Sequence, residues 1–294
     1  DHRDLHLSLR RQRQMCIRDR IRKVRMRNHI FVFTIINLVC IPLIAEIDIE
    51  PKNYKELVQL FEDWRDFENP PLMNGAPDYT KRRFDRAQKE FNALQNRLEK
   101  VDTTNWPIYY QVDWWIVRAE MNGYDFNHRV LRPWVRDPAF YQTIWMYQSD
   151  VPAHEGPTNH GVLEFWMFDF PLNNDRAKDL ADQLKTIPNF LFQAKGNLTG
   201  NARDLWVAGI ENFKEQADNL DAIRKKVKKH HGKSLDGLLS APLKNAKEAN
   251  DDFIKWLEQK APTKNGPSGI GKENYTWYQK NVHLVPLSLS LIHI

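Results

Sequence analysis

Apolar residues recur along most of this chain at helical spacing. Tyr54, Leu57, Val58, Phe61 and Trp64 share one face of a segment led by Pro51, a residue suited to the first helical position. Phe84, Ala87, Phe91, Leu94, Leu98 and Val101 follow at alternating steps of three and four, which predicts an amphipathic helix burying a continuous stripe. A third helix, capped by Thr104 or Asn105, carries Tyr109, Val112, Trp115, Ile116 and Ala119. Asn69-Pro70-Pro71 and Asn74-Gly75-Ala76-Pro77 mark a loop. Over 133–173, Pro133, Pro138, Pro152, Pro157 and Pro171 interrupt an aromatic-rich stretch and predict short helices and ordered loops. Helical periodicity returns at 174–186 and 188–197. It continues over 202–230 through Ile210, Phe213, Ala217, Leu220, Ile223 and Val227, stopping at Gly232. Another run, 243–260, holds Ala246, Ala249, Phe253, Trp256 and Leu257; a Pro/Gly/Lys-rich loop over 262–271 then precedes a helix from Lys272. No period-two alternation lasts more than a few residues, and no internal repeat is present. The expected fold is therefore all-α: a multi-helix array of antiparallel helices with a Pro/aromatic-rich irregular segment.

Composition excludes two broad classes. With 41% hydrophobic, 12% aromatic and 28% charged residues in 294, the chain is neither a polytopic membrane protein nor disordered. The formal net charge of +5 invites a polyanion-binding reading until it is located. Ten of the 43 basic residues and three of the 38 acidic ones fall within 1–27, so residues 28–294 carry −2. No nucleic-acid partner is expected of a nearly neutral body.

The ends of the chain read as foreign. Arg10-Arg11-Gln12-Arg13-Gln14-Met15-Cys16-Ile17-Arg18-Asp19-Arg20 resembles the in-frame translation of a transposase sequencing adapter, and Leu289-Ser290-Leu291-Ile292-His293-Ile294 resembles the same transposon end read on the opposite strand. Residues 1–25 are therefore expected to be a non-native tail and 289–294 adapter translation. Met26-Arg27-Asn28-His29 then opens an apolar run, Ile30 to Ala45, which predicts a signal peptide over 26–45. Cys40 leaves a lipid anchor open, and an uncleaved membrane anchor is the other alternative. The expected location is secreted or periplasmic, with contact to a membrane only through the leader or a lipid. Cys16 and Cys40 are the two cysteines, so a body over 46–288 would contain no disulfide, thiolate zinc site or cysteine nucleophile.

Three strings imitate catalytic motifs. Gly266-Pro267-Ser268-Gly269-Ile270-Gly271-Lys272 matches a phosphate-binding loop until Glu273 stands where a magnesium-binding Ser or Thr is required; a capping loop is the expected role. His154-Glu155 and His160 are spaced by six across Gly156-Pro157, which cannot form the one-face His pair of a zinc peptidase helix. Arg224, Lys225, Lys226, Lys228, Lys229, His230, His231 and Lys233 cluster at a helix C-terminus, where cations complement the macrodipole. The ten tryptophans are expected in the core or in cleft walls. Asn197-Leu198-Thr199 and Asn274-Tyr275-Thr276 are glycosylation sequons.

A longer set of strings carries a resemblance. They are Gln111-Val112-Asp113 with Val117 to Gly123, Val130 to Trp134, Arg136 to Tyr141, Ser149 to Pro152, Asn197 to Trp206, Gly269 to Tyr275, Trp277-Tyr278, and Asn281 to Pro286. In this order they resemble the N-terminal part of the bacterial domain-of-unknown-function 885 family, over about 50–286. Members of that family are largely helical, carry signal or lipoprotein leaders, and look like zinc metallopeptidases through a His-Glu-x-x-x-Gly-His-like motif in their C-terminal part. The resemblance implies that 46–288 is the helical N-terminal part of a larger, truncated domain, with zinc and a peptide-like substrate belonging to the complete protein. The motif is absent here, so no catalytic residue, metal ligand or cofactor is assigned to this chain, and the fragment is expected to be inactive alone. Arg203, Lys272, Tyr275 and His283 are the substrate-cleft candidates. The alternative is a non-enzymatic helical binding or scaffold module of the cell envelope.

Overall fold

The computed structural model describes residues 50–148 and 159–287. The adapter-like ends, the leader over 26–45, both cysteines, His154, Glu155 and the Ser149–Pro152 string lie outside the described residues.

The fold is all-α. Helices α1 (Tyr54–Glu68), α2 (Lys81–Glu99) and α3 (Ile108–Phe126) form a first unit, with a two-residue hairpin, β1 (Leu72–Met73) and β2 (Ala76–Pro77), between α1 and α2. A π-helical turn (Asn127–Leu131) leads into the short α4 (Pro133–Arg136), a 3-10 turn (Pro138–Tyr141) and the parallel pair β3 (Ile144–Trp145) and β4 (Leu163–Glu164). Helices α5 (Asn174–Asn197), α6 (Arg203–His231) and α7 (Asp236–Lys260) form a bundle in which α7 packs on both others, and α8 (Lys272–Asn281) returns to α3.

Two apolar cores result. Leu57, Leu60 and Trp64 of α1 meet Phe91, Leu94 and Leu98 of α2 and Val117 and Met121 of α3. In the second, Leu180, Leu184 and Phe190 of α5 meet Trp206, Phe213 and Leu220 of α6 and Leu243, Phe253 and Leu257 of α7. Burying each such side chain contributes about 1.5–3 kcal/mol. The stripe predicted on α2 divides between the cores: Phe84 and Ala87 pack on the second, Phe91 onward on the first.

Several boundaries differ from the sequence reading. The two helices expected over 174–197 are one, with Pro188 inside it. Its missing N–H leaves a backbone acceptor one turn earlier unpaired, but Leu184, Ile187 and Leu191 are buried around it and outweigh that loss. Helix α7 begins at Asp236 rather than 243, with Pro242 itself buried in the helix. Neither Thr104 nor Asn105 caps α3, which starts after Pro107; Thr104 instead donates its N–H and hydroxyl to Asp102. Helix α1 starts at Tyr54, whose N–H reaches the Pro51 carbonyl.

Three buried amides fix the irregular stretches to the bundle. Gln193 of α5 accepts from the Tyr79 N–H (2.9 Å) and donates to the Pro77 carbonyl (3.0 Å). Gln216 of α6 accepts from the N–H groups of Thr143 (2.7 Å) and Ile144 (3.1 Å) and donates to Asn250 of α7 (2.9 Å), which donates to the Phe213 carbonyl. With no long sheet to pair these segments, side chains satisfy their buried backbone groups.

Candidate functional site

The strings that carry the family resemblance meet at one junction. The turn before α6 runs beside the loop before α8: Gly266 N–H donates to the Asn201 carbonyl (2.8 Å) and Arg203 N–H to the Gly266 carbonyl (3.1 Å). Asn201 adds a side-chain clasp, donating to Asn265 Oδ1 and accepting from the Asn265 N–H. Arg136, at the end of α4, donates to the Pro267 and Ser268 carbonyls at 3.3 and 3.0 Å. Ser268 Oγ accepts the Asp204 N–H and so satisfies a first-turn donor of α6. Gly200 donates to the Val135 carbonyl at 2.8 Å. A Cβ there would lie 2.7 Å from that same oxygen, so only glycine allows this approach. The phosphate-loop look-alike is thus a structural clasp. A helix, not a strand, precedes it, and its Arg-held carbonyls face a cation.

The four predicted cleft residues are not assembled into one constellation. Arg203 is 64% exposed and pairs only with its neighbour Asp204, at 3.2 Å. Lys272 and Tyr275 lie exposed on the first turn of α8. His283 lies beyond its end, exposed, with its ring edge against Tyr278 at 4.8 Å. Among the described residues, no hydrogen bond, ion pair or ring contact joins any two of the four. Only the backbone brings their segments together, through Arg203 and Gly266. Helix α8 docks on α3 instead: Asn122 donates to the Asn281 carbonyl, Phe126 stacks on Trp277 at 5.6 Å, and Arg129 covers that indole.

Other expectations acquire structural roles. Asn197 donates to the Tyr79 carbonyl and to Tyr141 Oη, so its amide is committed inside the fold rather than offered for glycosylation. Asn274 donates to the Ile270 carbonyl within its own helix turn. In the basic cluster of α6, Lys226 covers the rings of Phe165 and Phe170, and His231 Nε2 accepts the Leu172 N–H at 2.9 Å. One face of that cluster therefore anchors the 165–172 loop, while Arg224, Lys225, Lys228 and Lys229 remain exposed. Of the tryptophans, Trp64 and Trp206 are fully buried, whereas Trp115, Trp145 and Trp166 are exposed.

The sequence reading missed a partly buried polar cluster beside the first core. Arg65 of α1 holds two carboxylates at 2.6 Å each, Glu68 and Glu120 of α3, and lies over the Phe61 ring. Burial raises the Glu68 carboxyl to about 7, against the opposing pull of Arg65, and the Glu120 charge adds to the rise. One turn past α3, His128 donates from Nδ1 to the Tyr124 carbonyl (3.0 Å), while its Nε2 is buried without a partner. Burial holds this imidazole down to about 4, so it is neutral at pH 7. Arg65, Glu68 and Glu120 lie 3 and 52 positions apart on two helices, a spacing that no local motif expresses.

A cleft of about 400 Å³ opens between the β1–β2 hairpin, β4 and α5. Leu72, Pro77, Val162 and Met167 give it apolar walls, and His160, Glu164 and Arg176 stand on its rim. Arg176 is already tied to Asp179 at 2.6 Å and lies over Phe168. Burial lowers the His160 imidazole. Among the described residues, no group of three or more His, Cys, Asp or Glu side chains stands where it could hold a metal ion, so a zinc donor set does not fit here. No helix among them is long and apolar enough to cross a membrane. No family model, curated protein or solved structure matches the chain.

Proposed function

We propose that this chain is the N-terminal helical part of an extracytoplasmic, zinc-dependent peptidase-like hydrolase. In this reading it supplies one wall of the peptide cleft and no catalytic group. The observation that carries the proposal is the ordered series of family-like strings from Gln111 to Pro286. Their convergence at the Gly200–Gly266 junction supports treating them as one unit. Zinc would activate water in the complete enzyme; no step is assigned to it here, because the described residues offer no donor set. The part played by this chain would be to present Arg203, Lys272 and Tyr275 to a peptide backbone or carboxylate. Secretion or periplasmic location, with the leader or a lipid as the only membrane tie, belongs to the same proposal.

Two measurements test it. The chain incubated with zinc and a peptide panel should give no turnover; turnover would place a catalytic group within it. Reading the gene beyond the Pro286 codon should reveal a His-Glu-x-x-x-Gly-His-like motif. A stop codon soon after would instead favour the non-enzymatic scaffold module.

A further inference from the structure

The two cores touch through a histidine. The His128 ring stacks on Tyr124 at 3.9 Å, and Tyr124 packs against Trp64, Phe67 and Phe91 of the first core. On its other side the same ring meets Trp134 at 4.5 Å and Phe84 at 5.9 Å. Those two rings stack on each other at 4.2 Å and pack on the second core. His128 lies in the π-helical turn that joins α3 to α4, a turn closed by a left-handed Arg132 (φ 44°) before Pro133. Its Nδ1 is used by the Tyr124 carbonyl, and its Nε2 is enclosed with no acceptor in reach.

We propose that His128 is an acid-sensitive joint between the two cores, which loosens the π-turn and α4 when the ring takes up its second proton. The proton would enter at Nε2, creating an N–H donor and a positive charge where no acceptor waits. The surrounding charges do not offset it. Asp125, on the preceding turn, attracts the charge but is paired with Arg129. On α2, Arg83 and Glu90 face Tyr124 as an ion pair of their own, at 2.8 Å. On α4, Arg136 donates to the Leu131 carbonyl and would repel the new charge. From α1, Glu68 is committed to Arg65. The burial that disfavours the charged ring supports the same conclusion.

Hydrogen exchange, corrected for intrinsic rates, tests the joint at pH 7 and pH 4. A released ring that titrates normally would raise opening of segment 124–137 by roughly 100-fold at pH 4. Amides of α6 and α7 should keep their protection. His128→Phe should abolish the acid response of 124–137. Simultaneous loss of protection in both regions, or an unchanged acid response in His128→Phe, would overturn the proposal. Should that variant not fold, imidazole NMR of the unsubstituted chain decides. The His128 ring should titrate well below pH 6, together with the Phe84 and Trp134 ring signals. An ordinary titration near 6.5 would refute it.

Discussion

Replacing Glu68 by Gln should stabilise the protein at pH 8 and leave it nearly unchanged at pH 4. Glu68 shares one guanidinium with Glu120, and its folded-state carboxyl is raised from 4.5 to about 7. Between those values the folded chain binds a proton that the unfolded chain releases. Stability from this group is therefore complete below pH 4.5 and declines as pH rises to 7. A separation of about 2.5 units at 1.36 kcal/mol each sets a ceiling of about 3 kcal/mol. The attraction of Arg65 is already contained in that separation and is not subtracted again. For a body of this size, about 3 kcal/mol corresponds to a rise in Tm of roughly 5–10 °C. His128 works in the opposite direction: its neutral form contributes stability above pH 6.5 that is lost as pH falls towards 4. The unsubstituted protein should therefore show a shallow profile between pH 4.5 and 6.5. The difference between Glu68→Gln and the parent removes the histidine contribution. Thermal unfolding followed by circular dichroism from pH 4 to 8 should give a difference that is zero at the acid end, grows through pH 5–7 and then levels off. A pH-independent difference, or a loss of stability at pH 8, would show that pairing with Arg65 outweighs burial.

Three further outcomes follow from the junction and the amide network. Gly200→Ala drives a Cβ to 2.7 Å from the Val135 carbonyl and 2.8 Å from the Arg136 Cα, both backbone, and should cost about 1–3 kcal/mol in urea unfolding. Gln216→Leu strands the buried Thr143 and Ile144 N–H groups and the Asn250 carbonyl oxygen, and should cost about 3 kcal/mol or more; Ala249→Ser, on a partly buried neighbour, serves as the mild control. Expressed through a eukaryotic secretory route, the folded chain should carry no glycan at Asn197, and intact-mass analysis of an Asn197→Gln variant should show no glycan lost.

The all-α architecture was legible because helix amphipathicity is local. Each of the stripes on α2, α6 and α7 repeats within a few turns, and the buried faces found in the structure use those same residues. The prolines misled for an equally physical reason. Local propensity ends a helix at Pro188, yet the apolar surface of Leu184, Ile187 and Leu191 exceeds the loss of one hydrogen bond once α7 packs over it. The cleft candidates came from the family resemblance. What the structure adds is that Arg203, Lys272, Tyr275 and His283 reach solvent without meeting one another.

What no local pattern could express was the polar architecture. Gln216 reads in the sequence as one more polar position on a long helix, yet it is fully buried and holds two backbone donors 73 and 72 positions away. Glu68 reads as a solvated helix end, and His128 as a polar residue just past one. Their chemistry arises only where the cores meet. Phe84 leaves the α2 stripe to stack on Trp134, and the π-turn carries His128 into the gap between that pair and Tyr124. The same aromatic surface that joins the two units therefore desolvates the imidazole, and that coupling makes the joint sensitive to acid.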